Sequence, residues 1–312
     1  MRRIKPLRML FLLSIAILLF LLVLYADYMY GLRRHPKALW NRRETEHFHI
    51  YTDIGSASLD YYEHFLEGFF EYFDSEFVKI GQKRRLKVYL FKDTISYKPY
   101  AESVRAQYTP YGFYKGPWVN IIVVNRDSGL GTATHELVHH FIATSFAREP
   151  PEWVDEGIAT FFEKFIGHLD KEGKLTISVG YFSNWRFPIT KKNADRLSLS
   201  RLISAAEPDQ CAARSLMLFL HKKGVLNNFI RQMSMQTDDP TGLVTMQKVY
   251  SKSIPEIEQK WKDWIRTQPI DGNVKLVKQA FVKTESQWQA WWQANKDRLY
   301  WSEKEQIYRI ED

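Results

Sequence analysis

This chain has little cysteine, little charge imbalance outside one end, and no repetition. Its single cysteine, Cys211, excludes an intrachain disulfide and leaves the compartment open. No internal repeat or low-complexity tract occurs, so a solenoid or repeat array is excluded. The formal net charge of +8 invites a nucleic-acid partner until it is located along the chain. Residues 1–43 carry nine cations and one anion, and the remainder holds 35 of each sign. A neutral body offers no basic groove, and no nucleic-acid partner is expected. Long apolar runs are missing too, with one exception.

That exception is the uncharged stretch 9–26, rich in Leu, Ile, Phe and Val. Eighteen helical residues reach roughly 27 Å, about the thickness of a bilayer's hydrocarbon core. Tyr25, Tyr28 and Tyr30 follow where an aromatic belt would lie. A secretory signal has a shorter apolar core and a small-x-small cleavage site, for which Leu24 and Ala26 are poor. The stretch therefore predicts one uncleaved transmembrane signal anchor, with the membrane as a partner through residues 9–26. Four cations on the short leading flank predict a cytoplasmic N-terminus and an extracytoplasmic body.

The body is long enough for a sizeable core, and its 15% aromatic content suits dense packing. After a juxtamembrane linker (31–45), residues 47–52 read as a strand. Residues 57–79 space Leu59, Tyr62, Phe65, Leu66, Phe69, Phe73 and Phe77 as a helix buries them. Residues 86–91 and 119–124 suit strands, and Gly112 to Pro117 suits a hairpin turn. Helices are expected over 132–145, from Pro151 onward, and over 199–206, 212–222, 226–235 and 254–266. Ser253 and Glu256 form a capping box for the last of these. The expected organisation is an anchor (1–30), the linker, a catalytic unit (46–197), a helical lobe (198–267) and a Trp-rich appendix (268–312) with Trp288, Trp291, Trp292 and Trp301.

The residues that carry chemistry are His135-Glu136-Leu137-Val138-His139. Positions i and i+4 share a helix face, so His135 and His139 can present two imidazoles to one Zn²⁺. Pro150-Pro151 ends this helix, and the next one carries Glu156, 17 positions after His139. If the two helices pack antiparallel, Glu156 becomes a third ligand and a fourth position stays open for water, the pattern of a catalytic site. Asp155 is the alternative ligand if the register shifts by one. Glu136, rotated about 100° from His135, can face the open position as general base. His140 points away and suits packing or support of the site. Glu163, two turns beyond Glu156, could orient a histidine or simply face solvent. Tyr114, Tyr181, Arg214 and His221 are candidate oxyanion donors, and no spacing singles one out.

With Trp153-Val154-Asp155-Glu156-Gly157-Ile158-Ala159, the HExxH residues make the chain resemble the gluzincin metallopeptidases, in particular the bacterial peptidase MA-like proteins. The resemblance implies an α+β zincin fold, with a small twisted, mostly antiparallel sheet on the motif helix and a C-terminal helical lobe. It also implies one zinc per chain on His135, His139 and Glu156, Glu136 as base, and hydrolysis of a peptide or protein held along an edge strand. The implied setting is the bacterial inner membrane, single-pass, with the catalytic part facing outward. Two positions depart from the pattern. Asp155 stands where Asn is common, and Thr160 stands where some gluzincins place an acidic partner for a histidine. A catalytically silent zincin-like binding protein is the alternative, but such a protein has no need of Glu136. The sequence does not address oligomeric state.

Overall fold

The computed structural model describes residues 13–25, 41–104, 109–116, 119–182, 186–205 and 207–268, with short pieces at 281–284, 287, 290–291, 293–294, 299–302 and 307–310. Residues 13–25 are helical (α1) and expose their large apolar side chains. The rest of the stretch 9–26 lies outside the described residues, as do Tyr28, Tyr30, Trp288 and Trp292. Among the described residues no helix is long and apolar enough to cross a membrane.

Five strands make the main sheet: β1 (Asn41–Glu44), β2 (Phe48–Thr52), β3 (Leu86–Phe91), β4 (Gly112–Lys115) and β5 (Ile121–Asn125), in the order β1-β2-β3-β5-β4. The sheet is mixed, which corrects the mostly antiparallel expectation. β2 pairs with β3 and β3 with β5 in parallel, while β1 and β4 are antiparallel edges. The cause is the crossover helices. α2 (Ser56–Glu76) joins β2 to β3, and α3 (Thr94–Ser103) leaves β3 on the path to β5. Helices then cover both faces, and β3 and β5 are buried nearly throughout, as parallel strands require. Val88, Leu90, Ile122 and Val124 face α2 and the motif helix. Tyr89, Phe91, Ile121 and Val123 face Tyr97 of α3.

Two more local expectations change. The segment from Gly112 is strand β4 rather than a turn, with Phe113 buried and paired to Val123. Gly112 itself lies so close to β5 that a Cβ would meet the Val123 carbonyl at 2.6 Å, which is why glycine occurs inside a strand here. Strands also recur after residue 131. β6 (Phe165–Leu169) and β7 (Leu175–Val179) form a hairpin, and β8 (Phe281–Thr284) adds to β6 in parallel.

The motif helix α4 (Leu130–Ser145) begins at Gly129, whose φ of 89° a side chain would resist. Its inner face, including Leu137, Val138 and Phe141, packs on the sheet and on the phenylalanine stripe of α2. Phe141 lies 6.0 Å from Phe69 and 5.2 Å from Phe73, centroid to centroid. α5 (Glu152–Phe161) follows, with Pro151 as its cap. Beyond the hairpin come α6 (Arg186–Lys192), α7 (Leu199–Ser204), α8 (Gln210–Lys222), α9 (Leu226–Met235), α10 (Leu243–Tyr250) and α11 (Ile254–Thr267). The Ser253–Glu256 capping box is present at the start of α11. A last hairpin, β9 (Leu299–Ser302) and β10 (Ile307–Ile310), holds Trp301. The result is an α+β protein in which α8, buried along most of its length, backs α5 and fixes the position of Glu156.

Candidate metal centre

Helix periodicity puts His135 and His139 on the outer face of α4, while Leu137 and Val138 are buried beneath. Their Nε2 atoms lie 3.0 Å apart. The turn through Pro150 and Pro151 brings α5 back against α4, and Glu156 arrives with Oε2 3.8 Å from His135 Nε2 and Oε1 3.7 Å from His139 Nε2. One donor atom from each residue falls within a 4.8 Å group, so the three could hold one metal ion. Tetrahedral zinc at about 2.0–2.1 Å from nitrogen or oxygen separates its ligand atoms by about 3.3 Å, and the observed spacings bracket that value. The donor set of two imidazoles and a carboxylate fits such an ion.

Each imidazole is held from behind. Asp155 Oδ1 sits 3.0 Å from His139 Nδ1, so this residue orients a histidine and is not a member of the cluster. Glu163 Oε1 sits 3.2 Å from His135 Nδ1, a close contact that does not make a hydrogen bond. Thr160 has no such role, because its hydroxyl donates to the Glu156 carbonyl at 2.6 Å. The orientation that Thr160 could not supply thus comes from Glu163, one turn further along the chain. Arg186 in turn donates to Glu163 at 2.8 Å and to Gln210 Oε1 at 3.2 Å. Gln210 Nε2 completes the loop by donating to Glu156 Oε2 at 2.8 Å.

Glu136 is 8% exposed, and burial pushes its carboxyl up while the two histidines pull it partly back. The backbone amide of Tyr114, on edge strand β4, also favours the charged form. For His139, burial opposes the charged form, but Asp155, Glu136 and Glu156 outweigh it and raise the metal-free imidazole to about 10. A proton and a metal therefore compete for the same nitrogen. His140 is fully buried and pushed down to about 4 by burial, which keeps it neutral. Its Nε2 lies 2.7 Å from Gln82 Oε1 and its Nδ1 3.4 Å from the Tyr114 hydroxyl, which assigns the proton to Nε2. His140 therefore supports the strand above the site.

The chain matches no protein-family model, and no curated protein matches it.

A cavity of about 1280 Å³ opens over the cluster, between α4 and the free edge of β4. Of the four candidate oxyanion donors, Tyr114 lines it. Burial, with a contribution from Asp155, raises its phenol to about 12 and keeps it a donor. Arg214 is committed to the carbonyls of Thr160 and Tyr181. The Tyr181 hydroxyl bonds Ser178, and His221 packs on Phe161. The residues that sequence reasoning missed are Lys164, Arg186 and Gln210, which line the same cavity from later elements. No spacing announces them, since Gln210 meets Glu156 across 54 positions of chain.

Proposed function

We propose that this protein is a zinc-dependent metallopeptidase of gluzincin type. The observation that carries the reading is the meeting of His135, His139 and Glu156 in one cluster, with buried Glu136 beside it on the wall of an open cleft. When bound, Zn²⁺ would acidify a water molecule and polarise the scissile carbonyl. Glu136 would accept the proton of the attacking water and return it to the departing amine. A carboxyl raised by burial suits a group that must both take and give a proton near neutral pH. Asp155 and Glu163 hold the imidazoles in their orientations. Tyr114 is the candidate donor to the developing oxyanion, provided that its hydroxyl turns from His140 Nδ1. An extended peptide would pair with edge strand β4, which lines the same cavity as the cluster.

The apolar stretch 9–26 would tether this unit to the bacterial inner membrane with the cleft outside the cytoplasm. The deciding experiment uses the full chain in detergent. Wild type should carry about one Zn²⁺ per chain, and His135→Ala should lose it. Glu136→Gln should keep the metal while hydrolysis of a peptide library falls by about 10²–10⁴-fold. A Glu136→Gln protein that holds metal and cleaves at the wild-type rate would sink the reading.

A further inference from the structure

One side chain that the proposed reaction leaves idle is Gln82, in the loop between α2 and β3. Gly81 lets this loop sit so close to the motif helix that a Cβ would meet the Thr144 carbonyl at 2.3 Å. Gln82 thereby reaches the fully buried His140, with 2.7 Å between Gln82 Oε1 and His140 Nε2, while its own Nε2 lies 2.7 Å from the His47 carbonyl. That carbonyl can only accept, so the amide nitrogen of Gln82 must face it and the amide oxygen must face His140. His140 then donates from Nε2 and leaves Nδ1 bare. The partner of Nδ1 is the Tyr114 hydroxyl at 3.4 Å, which must donate. The direction of all three hydrogen bonds thus follows from one backbone oxygen in the β1–β2 turn. Gly116, two positions along the chain from Tyr114, leaves room for the phenol, because a Cβ there would fall 1.7 Å from the Tyr114 oxygen.

We infer that Gln82 is a positioning residue that assigns the Tyr114 proton: it keeps the hydroxyl donating to His140 in the free protein, from which only a charged oxygen in the cleft draws it away. The part played by an oxyanion rests on the function proposed above, whereas the direction of the chain rests on the hydrogen bonds. The two acceptors compete for one proton. Tyr114 lines the cavity that holds the metal cluster, so its hydroxyl has an acceptor to turn to once a substrate is bound there. A neutral carbonyl offers a bond of the same neutral class as the imidazole, and the exchange gains little. An oxyanion offers a charge-assisted bond, roughly twice as strong, and at 3.4 Å the bond to His140 is long enough to yield to it. The hydroxyl therefore turns as charge develops on the carbonyl oxygen, and its donation favours the transition state over the bound peptide.

The direction of the chain is read by nitrogen NMR of isotope-labelled histidines in the full chain, with His140 assigned by its loss in His140→Gln. Wild type should show a protonated Nε2 and a bare Nδ1. Gln82→Met should move the proton toward Nδ1, because the buried Nε2–H loses its acceptor. A wild-type proton on Nδ1, or one that stays on Nε2 in Gln82→Met, overturns the inference. Calorimetric titration of two ligands into the metal-loaded chain carrying Glu136→Gln then separates the neutral from the charged oxygen: an apolar peptide and the matching peptide phosphonate. Tyr114→Phe should weaken the phosphonate about tenfold or more and leave the peptide unchanged. In Gln82→Met the released hydroxyl should bind the peptide about two- to tenfold more tightly, which narrows the gap between the ligands. No loss in Tyr114→Phe, or an equal loss for both ligands, also overturns the inference. The two proposals fail separately. A protein that cleaves peptides while Tyr114→Phe binds both ligands as before would keep the peptidase and lose the role of Gln82. A protein with the expected tautomer and the selective phosphonate loss that never cleaves would keep the role and lose the peptidase.

Discussion

Gln210 donates to Glu156 Oε2 at 2.8 Å while its carbonyl accepts from Arg186 at 3.2 Å. Because Arg186 also holds Glu163, which faces His135, the two ends of the metal cluster are tied together through α6 and α8. The candidate third ligand, on a ten-residue helix, is thereby held by elements that arrive long after it in sequence.

That tie predicts the behaviour of Gln210→Met. Asp209 caps α8 independently, with its side chain accepting from Cys211 and Ala212, so the helix survives the change. Glu156 loses the donor that fixes one oxygen. Metal affinity measured by chelator competition should fall by about 10–100-fold, the usual effect of removing a partner of a ligand. Unchanged affinity would show that Glu156 needs no such support.

Metal removal should also register as stability. Two imidazoles and a carboxylate converge within 4.8 Å, and an ion bound only by the folded form stabilises it by mass action. At free Zn²⁺ of a hundred times Kd the gain is about 2.7 kcal/mol, or about 4 °C in Tm for a chain of this size. Calorimetry with and without a strong chelator checks this. The shift should disappear in His139→Ala, where a persistent shift would place the ion elsewhere.

The parts of the site legible in the sequence are those that one helix period or one breaker encodes. His135, Glu136 and His139 follow from i, i+4 spacing, and Pro150-Pro151 announces the bend that returns Glu156. Asp155 reads in the sequence as a substitute ligand because spacing cannot show that its carboxylate reaches the far nitrogen of His139. Lys164, Arg186 and Gln210 were silent because tertiary packing alone brings them to the cavity. The parallel pairing was hidden for the same reason: α3 carries Pro99 inside its span and reads as a loop, yet an Asp93 cap and buried Tyr97 and Ala101 make it a crossover helix. The β6–β7 hairpin turns through Gly173 at φ 81°, and Leu175, Ile177 and Val179 of β7 alternate with polar residues and pack on the core, a strand signal too short to stand out among the helices around it.

Gly131 predicts a steric result. It lies in the first turn of α4, and a Cβ there would meet the Glu163 backbone carbonyl at 2.5 Å. Backbone cannot swing aside as a side chain can, so Gly131→Ala must push away the segment that carries both Glu163 and Lys164. A loss of about 1–3 kcal/mol in denaturant unfolding is expected, together with weaker metal binding, because Glu163 retreats from His135. Gly224→Ala is the control for backbone strain alone, since its φ of 73° is also left-handed but nothing lies within 4 Å of the added carbon. It should cost stability and leave metal affinity untouched.

Lys164 predicts a stability that depends on pH in a definite direction. Burial and Arg214 lower its folded-state value to about 7, against 10.5 for an ordinary lysine. Between those values the unfolded chain binds a proton that the folded chain refuses. Stability is therefore unpenalised above about 10.5, falls as pH drops toward 7, and changes no further from this group below that. Lys164→Met removes the penalty and keeps an apolar side chain in a buried position. It should unfold at higher denaturant than wild type at pH 7, by an amount on the order of a few kcal/mol, and the difference should shrink as pH rises toward 10. Urea unfolding of both proteins at pH 6, 7, 8.5 and 10 reads the effect. A difference that stays constant across that range would mean that Lys164 keeps its charge throughout.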